Sequence, residues 1–194
     1  MSDSARLRHG LEPFLSSRTD QSGSDEGIRI EVQTDLGHIN LRGDAANSEF
    51  LAAVATALQQ ELPVAANTMT TGDHRVFWLG PNEWQIVTAA DNTARLLAGL
   101  REALTDVHAS MCDLSGGQVA LRVTGSGVRE VLAKGCTLDL SLAKFGVGAC
   151  AQSGLAKASM LIGCIDDAGP VFEIIVRRSF ADYVARWLHH AAAL

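Results

Sequence analysis

The chain has 194 residues, of which 47% are hydrophobic and 20% charged, with a formal net charge of −6. A chain of that length buries roughly 70% of the surface its unfolded form exposes, enough for a full core without disulfide or metal staples. The composition excludes disordered and fibrous classes, and the scattered lysines and arginines form no basic stripe of the kind that nucleic acid or an anionic lipid surface requires.

Residues 1–27 are rich in Ser, Asp and Gly, with only Leu7, Leu11, Phe14 and Leu15 as apolar anchors. So little apolar surface cannot offset the entropy of ordering, and the segment reads as a mobile arm or one that docks on a partner. It also lacks the apolar stretch of a secretion signal, and the longest apolar run, 151–165, is broken by Gln152, Ser153 and Lys157. The expected location is the cytoplasm.

From Ile28 the pattern becomes periodic. Alternation in IRIEV and in HINLR predicts two strands around a turn at Asp35–Gly37. Phe50, Leu51, Val54 and Leu58 recur at helical spacing behind the candidate caps Asp44 and Asn47, with Pro63 as the stop. Arg75–Leu79 and Trp84–Thr88 read as strands joined by Gly80-Pro81-Asn82-Glu83, a turn that predicts a hairpin sending Trp84 into a core. Asp91 is the expected cap of a helix with Leu96, Leu97, Leu100 and Leu104 on one face.

The second half repeats this order. Gln118–Val123 reads as a strand, Ser126–Lys134 as a helix, and Lys157–Ile165 with Val171–Arg177 as a hairpin. A last helix starts at Ser179, with capping-box spacing in Ser179-x-x-Asp182 and an apolar face of Phe180, Val184, Trp187 and Leu188. GHINLR from Gly37 aligns with GQVALR from Gly117, and EWQIV aligns with VFEIIV. Two copies of one pattern predict an α+β fold of two repeated β-α-β-β-α halves, 28–110 and 111–194, each a sheet with helices on one face.

No constellation in the sequence makes a self-contained catalytic set. Gly125-Ser126-Gly127 follows a strand and opens a helix, but Glu130 stands where a dinucleotide fingerprint has its third glycine and would oppose a pyrophosphate. The six histidines, His9, His38, His74, His108, His189 and His190, form no metal-binding helical pair, and no Gly-x-Ser-x-Gly elbow occurs. Cys112, Cys136, Cys150 and Cys164 lie too far apart for zinc or redox motifs and read as packed thiols. Asp166-Asp167 reads as a solvated hairpin turn, Glu83 as a turn acid, and Arg177-Arg178 as a basic pair leading into a helix. The predicted catalytic, cofactor-binding and metal sets are therefore empty.

Five segments taken together carry a resemblance: LGPNEWQIV (79–87), DLSGGQVALRVTG (113–125), VLAKGCTLDL (131–140), KFGVGACAQSGLAKASMLIG (144–163) and FEIIVRRSFADYVARWLHHAA (172–192). In this order they resemble the gamma subunit of heterotetrameric sarcosine oxidase, within the aminomethyltransferase-like, folate-binding group of folds. The sequence departs from the family pattern at Gln118, where an arginine is expected, at Gly125-Ser126 in place of Gly-Pro, and at Val147 in place of proline.

The resemblance implies an accessory, non-catalytic subunit of a cytoplasmic flavoprotein complex that oxidatively demethylates sarcosine to glycine. Tetrahydrofolate would accept the methyl carbon and hydrogen peroxide would be the other product. Its partners would be the alpha, beta and delta subunits, which would hold FAD, FMN, NAD, zinc and tetrahydrofolate. The alternative implied by the same fold group is a stand-alone folate-binding aminomethyltransferase-like protein, with Glu83 or Asp113 as the acid that orients a pterin.

Overall fold

A computed structural model describes residues 27–194, so the arm expected over 1–27 lies outside the described residues except for its final glycine. The described residues form ten strands and four α-helices. The first half comprises β1 (Arg29–Gln33), β2 (Leu36–Gly43), α1 (Ser48–Leu58), β3 (Met69–Thr71), β4 (Arg75–Gly80), β5 (Glu83–Ala89) and α2 (Thr93–Ala103). The second comprises β6 (Ala109–Asp113), β7 (Gln118–Thr124), α3 (Val128–Ala133), β8 (Cys150–Leu155), β9 (Ala158–Asp166), β10 (Val171–Arg177) and α4 (Ala181–Ala192).

The strands make two antiparallel five-stranded sheets, ordered β1-β7-β10-β9-β8 and β6-β2-β5-β4-β3. Read in those directions, the sheets place β7 with β2 and β10 with β5 at equivalent positions, and these are the pairs whose sequences align. The two sheets therefore follow one strand-order pattern.

The halves exchange their first strands. β1 pairs with β7, Arg29 opposite Thr124, and β6 pairs with β2, Ile39 opposite Asp113. The two strands predicted around Asp35–Gly37 thus form in sequence but are split between sheets: the two residues between β1 and β2 lead from one layer to the other, where Ala90 N–H bonds the Asp35 carbonyl. The boundary expected at 110/111 falls inside β6. The short strands β3, β6 and β8 carry no strong alternation, and nothing in the sequence marks them.

Each sheet is covered on its outer face by the helices of one half. α1 and α2 pack through Phe50, Val54, Leu96 and Leu100 on Ile39, Leu41, Trp84 and Ile86. α3 and α4 pack through Val128, Leu132, Val184 and Leu188 on Leu121, Val123, Phe172 and Ile174. The inner faces meet through Met69, Phe77, Val87, Ala120, Cys150, Leu161 and Ile175. β5 and β10 are the middle strands of their sheets and are buried on both faces, as the near-continuous apolar runs of IIV and QIV require. Gly163 permits the close approach of the layers, since a Cβ there would lie 2.4 Å from Met69 Sδ and 2.6 Å from the Phe77 ring. Backbone bonds stitch the layers at one edge, with Met69 N–H donating to the Gly148 carbonyl and Cys150 N–H to the Asn67 carbonyl, both at 2.8 Å.

Helix boundaries depart from the sequence-based ones in a consistent way. Asn47 caps α1, its Oδ1 accepting from Glu49 N at 2.9 Å, while Asp44 only shapes the preceding turn through Ala46 N. α1 ends at Gln59 in the left-handed region, φ 54°, four residues before Pro63. Both α2 and α4 are entered through a 3-10 turn, Ala90–Asn92 and Arg178–Phe180, which leaves Asp91 and Ser179 upstream of the helix start. The capping box at Ser179 is consequently absent, and Asp182 holds Arg186 one turn on, at 2.9 Å. Phe180 points outward and is 39% exposed, and the buried stripe of α4 runs instead through Ala181, Val184, Ala185, Leu188 and Ala191. Among the described residues no helix is long and apolar enough to cross a membrane.

Candidate functional site

The GPNEWQIV hairpin forms as the sequence predicts. Trp84 has no exposed surface, its ring centroid lies 5.7 Å from that of Phe50, and its indole Nε1 donates to the Pro63 carbonyl at 2.8 Å. A buried indole needs such an acceptor, and the loop after α1 supplies it. Glu83 at the same turn is engaged internally, accepting from Asn40 Nδ2 at 2.8 Å and Arg42 Nη2 at 2.9 Å.

Asp113 is engaged too. The hydroxyl and then the backbone N–H of Ser115 donate to its carboxylate, and these bonds hold its pKa below the ordinary value. Glu83 lies opposite Arg42 and Asp113 opposite Ile39, three positions apart along β2, about 10 Å at strand rise. The two acids do not converge, and Glu83 has both carboxylate oxygens engaged, while Asp113 accepts both Ser115 bonds on Oδ1 alone.

The glycine turn before α3 is filled by neighbouring backbone. Gly127 N–H donates to the Gly27 carbonyl at 3.1 Å and Gly125 N–H to the Pro170 carbonyl at 3.2 Å. Gly125 has φ +123°, and a Cβ on it would lie 2.1 Å from the Gly27 oxygen. The amides of Gly125, Gly127 and Val128 in this turn are already bonded, and α3 is only six residues long.

Asp167 departs from the solvated turn expected at Asp166-Asp167. Its carboxylate pairs with Arg129 of α3 and accepts the Val147 N–H at 2.9 Å. Arg129 also donates to the Leu140 and Phe145 carbonyls and lies 4.9 Å from the Phe172 ring centroid. This clasp fixes the 140–147 loop on the outer core. Sequence reasoning misses Arg129, because a lone arginine on a six-residue helix carries no local signal.

The most unusual chemistry lies between the sheets. Glu173 on β10 has no exposed surface; Arg75 Nε on β4 donates to its Oε1 at 3.0 Å and stands 2.8 Å from Oε2, outside hydrogen-bond alignment for that oxygen. Arg122 faces Glu173 across the β7–β10 ladder. Burial raises the Glu173 pKa, with Arg75 and then Arg122 opposing. His38 is pushed down to about 4 by burial, with Arg75 adding to the effect and Asp113 opposing it, so its imidazole is neutral at pH 7. The one sequence signal for this seam is an acid inside the apolar run VFEIIV; nothing local marks Arg75 or His38 as its companions.

The inter-sheet layer opens at one end into a cleft of about 700 Å³. Leu161 and Ile175 floor it, Gln85 donates to Gln118 across it at 2.9 Å, and Arg177 stands at its mouth. Cys136, Cys150 and Cys164 are buried and Cys112 is exposed, all as free thiols. Burial pushes Cys150 up to about 11 and Cys164 up to about 12. Among the described residues no group of three or more His, Cys, Asp or Glu side chains is arranged to hold a metal ion.

The sequence profile of the sarcosine oxidase gamma subunit family matches residues 42–194. The chain belongs to that family. It is 30% identical over 167 residues to sarcosine oxidase subunit gamma of Corynebacterium sp. strain P-1, covering 86% of this chain and 79% of that protein. To the same subunit of Corynebacterium sp. strain U-96 it is 28% identical over 193 residues, covering 97% and 91%.

Among solved structures, one polypeptide of the heterotetrameric sarcosine oxidase from Corynebacterium sp. U-96, in complex with pyrrole 2-carboxylate, superposes with a TM-score of 0.86 at 24% identity, covering 96% of this protein and 94% of that one. The glycine cleavage system aminomethyltransferase T from Bartonella henselae superposes at 0.62 with 18% identity, over 84% of this protein and 45% of that one. The resemblance drawn from the five segments and the two-sheet α+β class both hold. By family membership this protein is a subunit of an oxidoreductase, while the aminomethyltransferase likeness extends to fold alone.

Proposed function

We propose that this protein is an accessory, non-catalytic subunit of a heterotetrameric sarcosine oxidase, serving as an interface element between larger subunits. The carrying observation is that a gamma-subunit sequence spans the fold while Glu83 and the one phosphate-like turn are tied up by the protein's own groups. In this reading none of its residues is catalytic, cofactor-binding or metal-ligating, and 28–110 and 111–194 are copies of one ancestral unit. The alpha, beta and delta subunits hold FAD, FMN, NAD, zinc and tetrahydrofolate, and the complex works in the cytoplasm. It demethylates sarcosine to glycine, delivering the methyl carbon to tetrahydrofolate and electrons to oxygen to give hydrogen peroxide.

The test is co-expression of the subunits with and without this one. The proposal expects that omitting it lowers the yield of assembled complex, read by native mass spectrometry, and that the purified protein shows no calorimetric tetrahydrofolate binding. Tetrahydrofolate binding by the isolated protein would favour the stand-alone folate protein instead.

A further inference from the structure

The register of strands β8, β9 and β10 builds the cleft at the open end of the inter-sheet layer. Gln152 lies opposite Leu161, and Leu161 opposite Ile175, which sets one amide beside an apolar floor. One step toward the open end, Arg177 lies opposite Gln118, with exposed Ser159 on the neighbouring strand. The facing sheet contributes Gln85, which is 1% exposed.

Each of these amides is half used. Gln85 Nε2 bonds Gln118 Oε1, and Gln152 Nε2 bonds the Leu79 carbonyl at 3.0 Å, leaving Gln118 Nε2 as a donor and Gln152 Oε1 as an acceptor without a partner among the described residues. Arg177 is exposed and makes no ion pair or hydrogen bond among the described residues, although most other arginines near the layers are committed to a carboxylate: Arg29, Arg42, Arg75 and Arg129. The one carboxylate lining the cleft, Asp113, is held by Ser115 through Oδ1 and makes no ion pair with Arg177.

An apolar floor flanked by a free amide donor, a free amide acceptor and an unpaired guanidinium matches an extended peptide. Backbone carbonyl and N–H groups would meet Gln118 and Gln152, and a carboxylate would meet the planar fork of Arg177. A small-molecule site normally encloses most of its ligand, whereas this cleft is only half enclosed. We propose that the cleft is the docking groove for an extended segment of a partner subunit that carries an Asp, Glu or terminal carboxylate against Arg177. The inference rests on the reading of this protein as an assembled subunit.

The experiment places a photo-crosslinking amino acid at Ser159 in the co-expressed complex and identifies cross-linked peptides by mass spectrometry. Co-purification with the partner subunits is read first, so failure of assembly, which would sink the subunit reading, is distinguished from failure of the groove. The expected product is a partner peptide containing an acidic residue or a C-terminus. Arg177→Glu should raise the rate of dissociation from the complex at least tenfold, and Arg177→Lys should raise it less, with the far-ultraviolet circular dichroism of each variant unchanged because the residue is exposed. An assembled complex with no partner cross-link from Ser159, a cross-linked peptide with no carboxylate, or a dissociation rate unchanged by Arg177→Glu would each overturn the proposal.

Discussion

Replacing Arg75 with alanine should expose the cost of the charged seam between the sheets. Glu173 has no exposed surface, and the Arg75 side chain, one-fifth exposed, is its ion-pair partner. Removing one member of a buried pair leaves the other uncompensated and costs about 3–5 kcal/mol. At about 2–4 °C per kcal/mol for a domain of this size, Tm should fall by roughly 6–20 °C. The loss must depend on pH in a specified direction. Burial already raises the Glu173 pKa above the usual 4.5, so the native state keeps a proton that the unfolded state has released, and stability falls as pH rises through that window. Without Arg75 the folded-state value rises further, widening the window upward. Urea unfolding followed by tryptophan fluorescence should therefore show Arg75→Ala closest to wild type at about pH 5 and furthest from it at about pH 8, and adding Glu173→Gln should recover much of the difference. A loss below about 1 kcal/mol at pH 8, an equal loss at both pH values, or a double variant no better than the single one would refute the reasoning.

Three further outcomes follow from the packing. Trp84→Ala should cost about 3–5 kcal/mol in the same unfolding assay, because it opens a cavity beside Phe50 and leaves the Pro63 carbonyl without its indole donor; a cost under about 1 kcal/mol would contradict a structural role for the hairpin. Gly125→Ala should abolish soluble expression or lower Tm sharply, since its Cβ meets the Gly27 carbonyl at φ +123°, whereas Gly116→Ala, with nothing within 4 Å, should change stability by less than about 0.5 kcal/mol. Titration of the native protein with a thiol reagent should count one fast cysteine, Cys112, and all four in urea; a second fast native thiol would contradict the burial of Cys136, Cys150 and Cys164.

Much of the fold is legible because strong periodicity writes it. The EWQIV and VFEIIV strands, the α1 stripe of Phe50, Val54 and Leu58, and the repeat of GHINLR as GQVALR each carry a local signal that survives in the structure. The exchanged first strands are not legible, because which sheet β1 or β6 joins depends on backbone pairing between distant segments, and alternation specifies a strand without specifying its neighbour. Helix starts move for a local reason: the 3-10 turns after β5 and β10 bypass Asp91 and Ser179, and residues able to cap offer no cap when the helix begins two residues later. The empty catalytic set is readable as missing motifs, but the seam of His38, Arg75, Arg122 and Glu173 joins four strands and emerges only when the layers are assembled. Asp167 looks like a turn acid because its partner, Arg129, is 38 residues away.

The central claim is that this protein acts as a component of an oxidase rather than through a site of its own. A tagged pull-down from native extract, with mass spectrometry of the partners and a visible spectrum of the eluate, tests it most directly. The account predicts a yellow eluate containing flavin-bearing large subunits at fixed stoichiometry with the tagged protein. A colourless eluate containing the tagged protein alone would contradict it.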